Sequence, residues 1–323
     1  MARASRISSG VILLALSFSA HAQRPGRPFL QGRVLPPVLR RAILVQESIR
    51  FTGRRTVTVL KDGLPNRHEE IVMRDGPQIH IEFPEGSPYS GQVIVENLTE
   101  RRHFLPASNE VRVLPPRREG GLQRIRALVR NGRVSTEPGE RIAGFPTVEV
   151  VIQDGAGNTV QRLAIEPGSG MLLRQRFFGP TGMDIGGFVY SKVDLNPGSL
   201  DPALFKIERR GVQVTTPWDT LRKLARKSGY LPLGLPASTG FRLDSVRLAK
   251  LEEGAVLAQN YVGPGGRLSL YQLEAAVSPT RLRKQGKGVL HTLSWMNGGR
   301  TFVFVGPQDA ATLAKLKGLV GKE

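Results

Sequence analysis

Apolar and polar residues alternate along much of the chain from residue 51 to about residue 198, which is the pattern of half-buried β-strands. The segment 142–178 shows this alternation three times, with glycine-containing turns at 154–158 and 166–171 between the runs. Four more runs precede it, at 51–63, 68–86, 91–106 and 109–116. Consecutive strands with one apolar face predict an antiparallel meander that packs on a second layer or curls around something apolar.

Helical spacing of apolar residues occurs in four other segments, at 36–50, 120–132, 218–230 and 307–320. The strand pattern of the first part ends near residue 198, and a smaller set of strand and helix segments follows it. The sequence therefore predicts an α+β fold. We expect a first domain over residues 37–212 and a smaller α+β domain over residues 213–323.

The N-terminal residues 1–22 have the features of a secretory signal peptide. A basic start is followed by an apolar run over 11–20 and by Ala20-His21-Ala22, which has the small-x-small pattern of a cleavage site before Gln23. The apolar run is shorter than the ~20 residues that span a bilayer, which favours cleavage over an uncleaved anchor. Residues 23–36 then predict a flexible basic leader, and the mature protein is expected in the periplasm or otherwise outside the cytoplasm.

Charge and cysteine content narrow the function classes. The chain has no cysteine, which excludes a thiol nucleophile, a disulfide framework, a cysteine zinc site and a lipid-modified N-terminal cysteine. Its 46 basic and 27 acidic residues give a formal charge of +19, and loss of Arg3 and Arg6 with the signal peptide would leave +17. Outside the cytoplasm no nucleic-acid partner is expected, so the polyanions within reach are anionic lipids, lipopolysaccharide and wall polymers.

A search for catalytic or metal-binding residues finds no constellation. The four histidines of the mature chain, His68, His80, His103 and His291, have no spacing typical of a metal site, and no serine lies in a nucleophile motif. The adjacent pair Glu69-Glu70 lies in a strand, so its carboxylates should face opposite ways. The sequence predicts neither an enzyme nor a bound cofactor or metal.

The candidate binding surface is therefore the apolar face of the strands. Its alternating residues are Ile79, Ile81, Phe83, Val93, Val95, Phe104, Val148, Val150, Ile152, Leu163 and Ile165. Two interpretations stay open for this set. It is either the lining of a ligand site or the ordinary core that every half-buried sheet has.

In their order, the segments resemble those of the RseB/MucB family, extracytoplasmic regulators of the sigma-E envelope-stress pathway. The resemblance begins with Ile49-Arg50-Phe51-Thr52-Gly53 after the first helix and covers roughly residues 38–320. Further segments that carry it are "RHEEIVMRDGPQIHIEFPEG", "RRHFLPASNEVRVLPPRRE", "ERIAGFPTVEVVIQD", "LAIEPGSGMLLRQRFFGPTG", "GYLPLGLPASTGFRLDSV" and "WMNGGRTFVFVGPQDAATLAKLKGLV".

The resemblance implies a first domain similar to the lipoprotein carriers LolA and LolB. That fold is a curled antiparallel half-barrel with a helical plug, whose concave apolar face accepts acyl chains or an apolar peptide. It also implies that the second domain helps to grip the periplasmic part of a membrane-bound anti-sigma factor, and that lipid or lipoprotein releases this partner.

The expected function is thus a non-enzymatic regulator of an envelope-stress sigma factor. Two alternatives remain. One is a periplasmic carrier or chaperone of lipid or lipoprotein, and the other is a basic protein that holds a wall polymer or another anionic envelope polymer.

Overall fold

The computed structural model describes residues 35–45, 48–61, 63–116, 132–251, 254–273 and 290–322. The predicted signal peptide, nearly all of the basic leader and nearly all of the helix predicted at 120–132 lie outside the described residues. Of the helices that the described residues form, none has the length and apolar character needed to cross a membrane.

Twelve strands form the larger of two sheets. They are β1 (Arg50–Lys61), β2 (Leu64–Asp75), β3 (Gln78–Glu82), β4 (Val93–Glu96), β5 (Arg101–Leu105), β6 (Glu110–Leu114), β7 (Arg133–Pro138), β8 (Val148–Gln153), β9 (Thr159–Ile165), β10 (Leu172–Phe178), β11 (Asp184–Asp194) and β12 (Gln213–Thr215). Their spatial order is β12-β6-β5-β4-β3-β2-β1-β11-β10-β9-β8-β7. All neighbours are antiparallel except β12 and β6. The predicted meander is confirmed, and within the described residues the sheet is open.

Helix α1 (Pro37–Val45) packs on one face of this sheet, which we call the inner face. Pro37 opens the helix, where a missing N–H costs nothing, and Leu39, Ala42 and Ile43 form its buried side. They contact the four strand residues Val150, Ile152, Leu163 and Ile165 of β8 and β9. Full burial of a leucine or isoleucine side chain contributes about 1.5–3 kcal/mol, so Leu39 and Ile43 hold α1 firmly on the sheet.

The strand registers extend the inner face across the sheet, because residues directly opposite each other in a pair share a face. One row from β9 to β2 consists of Leu163, Gln175, Phe188, Val57 and His68. A second row from β2 to β6 consists of Val72, Ile81, Ile94, His103 and Arg112. The side chains between these, on the same strands, form the back face.

A chain segment after β11 covers part of the back face. Its short 3-10 helix Pro202–Phe205 brings Phe205 and the following Ile207 against Val95, Phe104 and Val111. The His80 ring, on the same face, lies with Nδ1 2.7 Å from the carbonyl oxygen of Leu204 and ties the segment to β3. The sheet therefore has apolar packing on both faces.

Five strands form the smaller sheet, in the order β13-β14-β15-β17-β16. They are β13 (Arg242–Leu251), β14 (Gly254–Gly263), β15 (Gly266–Leu273), β16 (His291–Asn297) and β17 (Arg300–Gly306), with α2 (Pro217–Ser228) and α3 (Ala310–Lys317) packed on them. Thr216 and Asp219 form a capping box at the start of α2. Gly298 and Gly299 both have positive φ in the β16–β17 turn, which is the backbone conformation that a tight hairpin needs. The α+β fold class, with an open antiparallel sheet and a second small sheet, is confirmed.

Candidate functional site

The structure corrects the expectation of one continuous apolar face. Ile81 pairs with Ile94 and lies on the inner face, whereas Val95 pairs with His80 and lies on the back face. Strands β3 and β4 are joined by the long connection 83–92. A change of one residue in the length of such a connection exchanges the two faces of the strand that follows it. The eleven candidate residues therefore do not form one surface.

Their surroundings separate them into three groups. Val148, Val150, Ile152, Leu163 and Ile165 lie on β8 and β9, where α1 covers the last four. Ile79, Ile81 and Phe83 lie on the middle of the inner face. Val93, Val95 and Phe104 lie on the back face beneath the 200–212 segment. A role of these residues in ligand binding stays a prediction. Accessible apolar surface on the inner face is found instead on β1, β10 and β11.

An open apolar pocket of about 160 Å³ lies at the ends of β1, β10 and β11 on the inner face. This is the end of the sheet that is farther from α1. Five of its lining residues have the inner-face parity: Val57, Val59, Phe177, Gly186 and Phe188. The neighbouring Thr58, Leu60, Ile185 and Gly187, on the same strand ends, complete the lining. The side chains among them are half-buried, so apolar surface remains accessible to a ligand. For comparison, a cavity of about 150 Å³ is large enough for benzene, so this pocket suits a short apolar segment.

Two glycines fix the wall of the pocket. Gly186 and Gly187 have φ of 132° and 151°, a conformation that residues with a side chain rarely adopt. A Cβ atom at Gly187 would lie 1.9 Å from the carbonyl oxygen of Gln175, and one at Gly186 would lie 2.6 Å from that of Thr58. The backbones of β1, β10 and β11 therefore approach closely only because these positions are glycine.

A buried polar cluster adjoins the pocket on the inner face. The Arg55 side chain donates from Nε to Glu70 Oε2 at 2.7 Å, and its Nη2 lies 2.6 Å from the same oxygen. His68 Nε2 lies 3.1 Å from Glu70 Oε1. The Arg55 guanidinium also lies 4.9 Å from the ring centroid of Phe188, which lines the pocket. The ion pair thus holds one wall of the pocket in place.

The electrostatics of this cluster show what it does chemically. Burial alone would raise the pKa of Glu70, but the charge of Arg55 and hydrogen bonds from His68 and Arg55 lower that pKa to about 2. A carboxylate so firmly ionised is a poor general acid or base near neutral pH. Because a carboxylate only accepts, His68 Nε2 carries a proton, and the buried Nδ1 atom has no partner among the described residues.

The neighbouring carboxylate Glu69 faces the opposite way, as the sequence predicted for an adjacent pair. It accepts from Arg54 Nη1 at 3.3 Å on the back face, and both side chains are about half exposed. Among the described residues, no group of three or more histidine, aspartate or glutamate side chains is placed to hold a metal ion.

Sequence reasoning missed the pocket. The alternation of Val57 with Val59 in β1 was visible, and so was the Gly186-Gly187 pair next to Phe188. The adjacency of β1 to β11 was not, because the two strands are separated by more than a hundred residues and nine other strands. The pair Arg55–Glu70 could have been found from the β1–β2 hairpin register alone.

Comparisons with known proteins give a likeness at the level of structures. No protein-family model matches the chain, and no curated protein matches it. The complex of Pseudomonas aeruginosa MucA and MucB shares 14% identity, covers 86% of this chain and 95% of its own, and has a TM-score of 0.46. MucB in complex with MucA(peri) shares 15% identity over 88% of this chain and 97% of its own, with a TM-score of 0.44.

A LolA-superfamily protein from Nitrosomonas europaea is also similar, with 12% identity, coverage of 53% of this chain and 96% of its own, and a TM-score of 0.28. MucB and the LolA superfamily, which the sequence resembles, are thus among the matching structures.

Proposed function

We propose that the protein is a non-enzymatic extracytoplasmic binding protein that receives an acyl chain or an apolar peptide segment in the pocket of its inner face. The observation that carries this proposal is the pocket at the end of β1, β10 and β11. On β8 and β9 the same face is closed by α1, so the sheet leaves apolar surface accessible at a defined place. Concave apolar surface with few polar groups is the usual form of a ligand site.

Two features favour binding over catalysis at this place. The pocket lining is apolar apart from Thr58, and the adjoining polar cluster is neutralised internally by the pair Arg55–Glu70. Preorganised walls reduce the entropy lost when a ligand binds, and the close backbone contacts at Gly186 and Gly187 supply such walls.

We further propose, from the resemblance to RseB/MucB proteins, that the partner is the periplasmic part of a membrane-bound anti-sigma factor. In this proposal residues 213–323 help to hold the partner, and lipid or lipoprotein in the pocket favours its release. MucB itself forms a complex with MucA. A pull-down from membranes with the chain from Gln23 onward should recover a single-span membrane protein, and recovery of none would contradict this part of the proposal.

The pocket is tested by filling it. The chain from Gln23 onward should bind a fluorescent fatty acid, and organic extraction of the purified protein followed by mass spectrometry should show acyl species. Val59→Trp places a large ring in the pocket and should weaken binding about tenfold or more, because the displaced ligand loses its apolar contacts. Thr56→Trp is the matched control, since Thr56 lies on the same strand but does not line the pocket.

Equal binding by the two variants, or a clean extract together with no fatty-acid binding, would contradict a ligand site at this pocket. In the second case the half-buried side chains of the pocket would serve packing alone.

A further inference from the structure

Two hairpin tips at the open end of the pocket each expose a large apolar side chain. Leu64, at the β1–β2 turn, is 71% exposed, and Met183, at the β10–β11 turn, is 58% exposed. The register brings the tips together, because β1 pairs with both β2 and β11: Lys61 lies opposite Leu64, and Val59 lies opposite Gly186. The tips are thus about two inter-strand spacings apart, roughly 10 Å.

These tips border the pocket. Leu64 follows the inner-face parity of His68 on β2, so it lies on the same side of the sheet as Val57 and Val59. Ile185, which lines the pocket, follows Met183 by two residues. Isolated exposed apolar residues are normal on protein surfaces, but two on neighbouring tips beside an apolar opening indicate an interaction surface.

The charge of the protein indicates what this surface meets. Without the predicted signal peptide the chain carries a formal charge of +17, and Arg67, on the back face of β2, is exposed three residues from Leu64. Asp184, which follows Met183 directly, is paired with Arg176 at 2.8 Å. A basic protein with apolar tips complements a surface that is anionic outside and apolar beneath, which describes the headgroup region of an anionic bilayer.

We propose that the β1–β2 and β10–β11 tips dock on the anionic surface of a lipid bilayer, with Leu64 and Met183 entering the headgroup boundary. Docking in this orientation turns the opening of the pocket toward the lipid. This role as an exchange surface rests on the proposed function, whereas docking itself does not depend on a ligand in the pocket.

Co-sedimentation with vesicles of phosphatidylethanolamine and phosphatidylglycerol tests the docking. The variant Leu64→Ser/Met183→Ser should partition onto these vesicles about tenfold or more weakly than the unchanged chain, because two apolar side chains no longer leave water. The matched control is Leu98→Ser/Met296→Ser. Both control positions are 62% exposed and lie in other parts of the molecule, so this variant should partition like the unchanged chain.

Equal partitioning of the tip and control variants would overturn the proposal, and so would absence of vesicle binding by the unchanged chain. A blue shift of fluorescence on vesicle addition, seen with Met183→Trp but not with Met296→Trp, would support entry of the tip into the bilayer. Val59→Trp separates docking from ligand binding. If Val59→Trp loses fatty-acid binding yet still partitions onto vesicles, both the ligand site and the docking surface are supported. If neither the unchanged chain nor any variant binds fatty acid but docking persists, only the proposed function fails.

Discussion

The side chains of Arg55, Glu70 and His68 show how much of the inner face depends on single residues. An ion pair buried in a sheet is costly to desolvate, and removal of one partner leaves a buried charge without compensation. Here the pair is also packed against Phe188 and Tyr190, with the Arg55 guanidinium 5.8 Å from the second ring. Its main effect is therefore to fix the position of two aromatic rings beside the pocket.

The first prediction at this scale concerns Glu70→Gln and pH. The pKa of Glu70 is about 2 in the folded protein against a usual 4.5, so its ionised form stabilises the fold above about pH 4.5, and this contribution is lost as pH falls through about 2. We expect the variant to be less stable by about 3 kcal/mol near neutral pH, with the difference shrinking toward zero at about pH 2. Urea unfolding of both proteins across this pH range measures it.

Glu69→Gln is the control for that experiment. Glu69 is the adjacent residue and pairs with Arg54, but both side chains are about half exposed, so the pair is screened by water. The free energy of unfolding should change by less than about 1 kcal/mol. A Glu70→Gln cost that does not vary with pH would show that the pair is not the source of the shift.

At the scale of elements, the sequence predicted most of the described strands and helices, since periods of two and of 3.6 are local properties. The short strands β7 and β12 were not predicted. Helix α1 and the meander from β8 to β11 both follow from short stretches. The assignment of faces did not follow. Within one strand the parity of Ile79 with Ile81 is certain, but the parity between β3 and β4 depends on the backbone path through 83–92.

The site was harder to predict for the same reason. It is built from β1, β10 and β11. The pairing of β1 with β11 joins segments far apart in the chain, and its register shifts between Arg54 and Arg55. Such an irregularity leaves no clear mark in the amino-acid pattern. The candidate residues on β8 and β9 could not be assigned to the core or to a ligand site, because the place where α1 packs is not a local property of the sequence.

Helix α1 gives the prediction at this scale. Leu39 is 1% exposed and packs on β8 and β9, so Leu39→Ala should lower the free energy of unfolding by about 2–5 kcal/mol. Leu44 lies on the same helix but is 70% exposed, and Leu44→Ala should change stability by no more than about 0.5 kcal/mol. Urea unfolding compares them. Similar losses for the two variants would mean that α1 does not cover the inner face as described.

At the scale of the whole molecule, the two sheets are linked through strand β12 and through charge. Strand β12 leads directly into α2 of the second unit, yet it pairs in parallel with β6 of the larger sheet. Arg101 of β5, which is buried, lies 3.8 Å from Asp244 of β13. The expected division of the chain at residue 213 stays a prediction, and β12 is the element on which its position depends.

Two truncated chains test where the first unit ends. A chain ending at Thr216 keeps β12, including the Gln213–Glu110 pairing and the hydrogen bond from Thr215 Oγ1 to Glu110, whereas a chain ending at Val212 loses them. Each lost hydrogen bond is worth about 0.5–1.5 kcal/mol, so the shorter chain should unfold at a lower urea concentration, with a stability deficit of about 1–3 kcal/mol.

Equal unfolding midpoints for the two chains would mean that β12 is held in place by the second unit and adds nothing to the first, which supports a division at 213. If neither chain folds, the larger sheet requires the contacts around Arg101 and Asp244, and the two units form one cooperative structure. A partner held by the second unit would then change the stability of the inner face as well, so ligand release and partner release would be coupled through the same link.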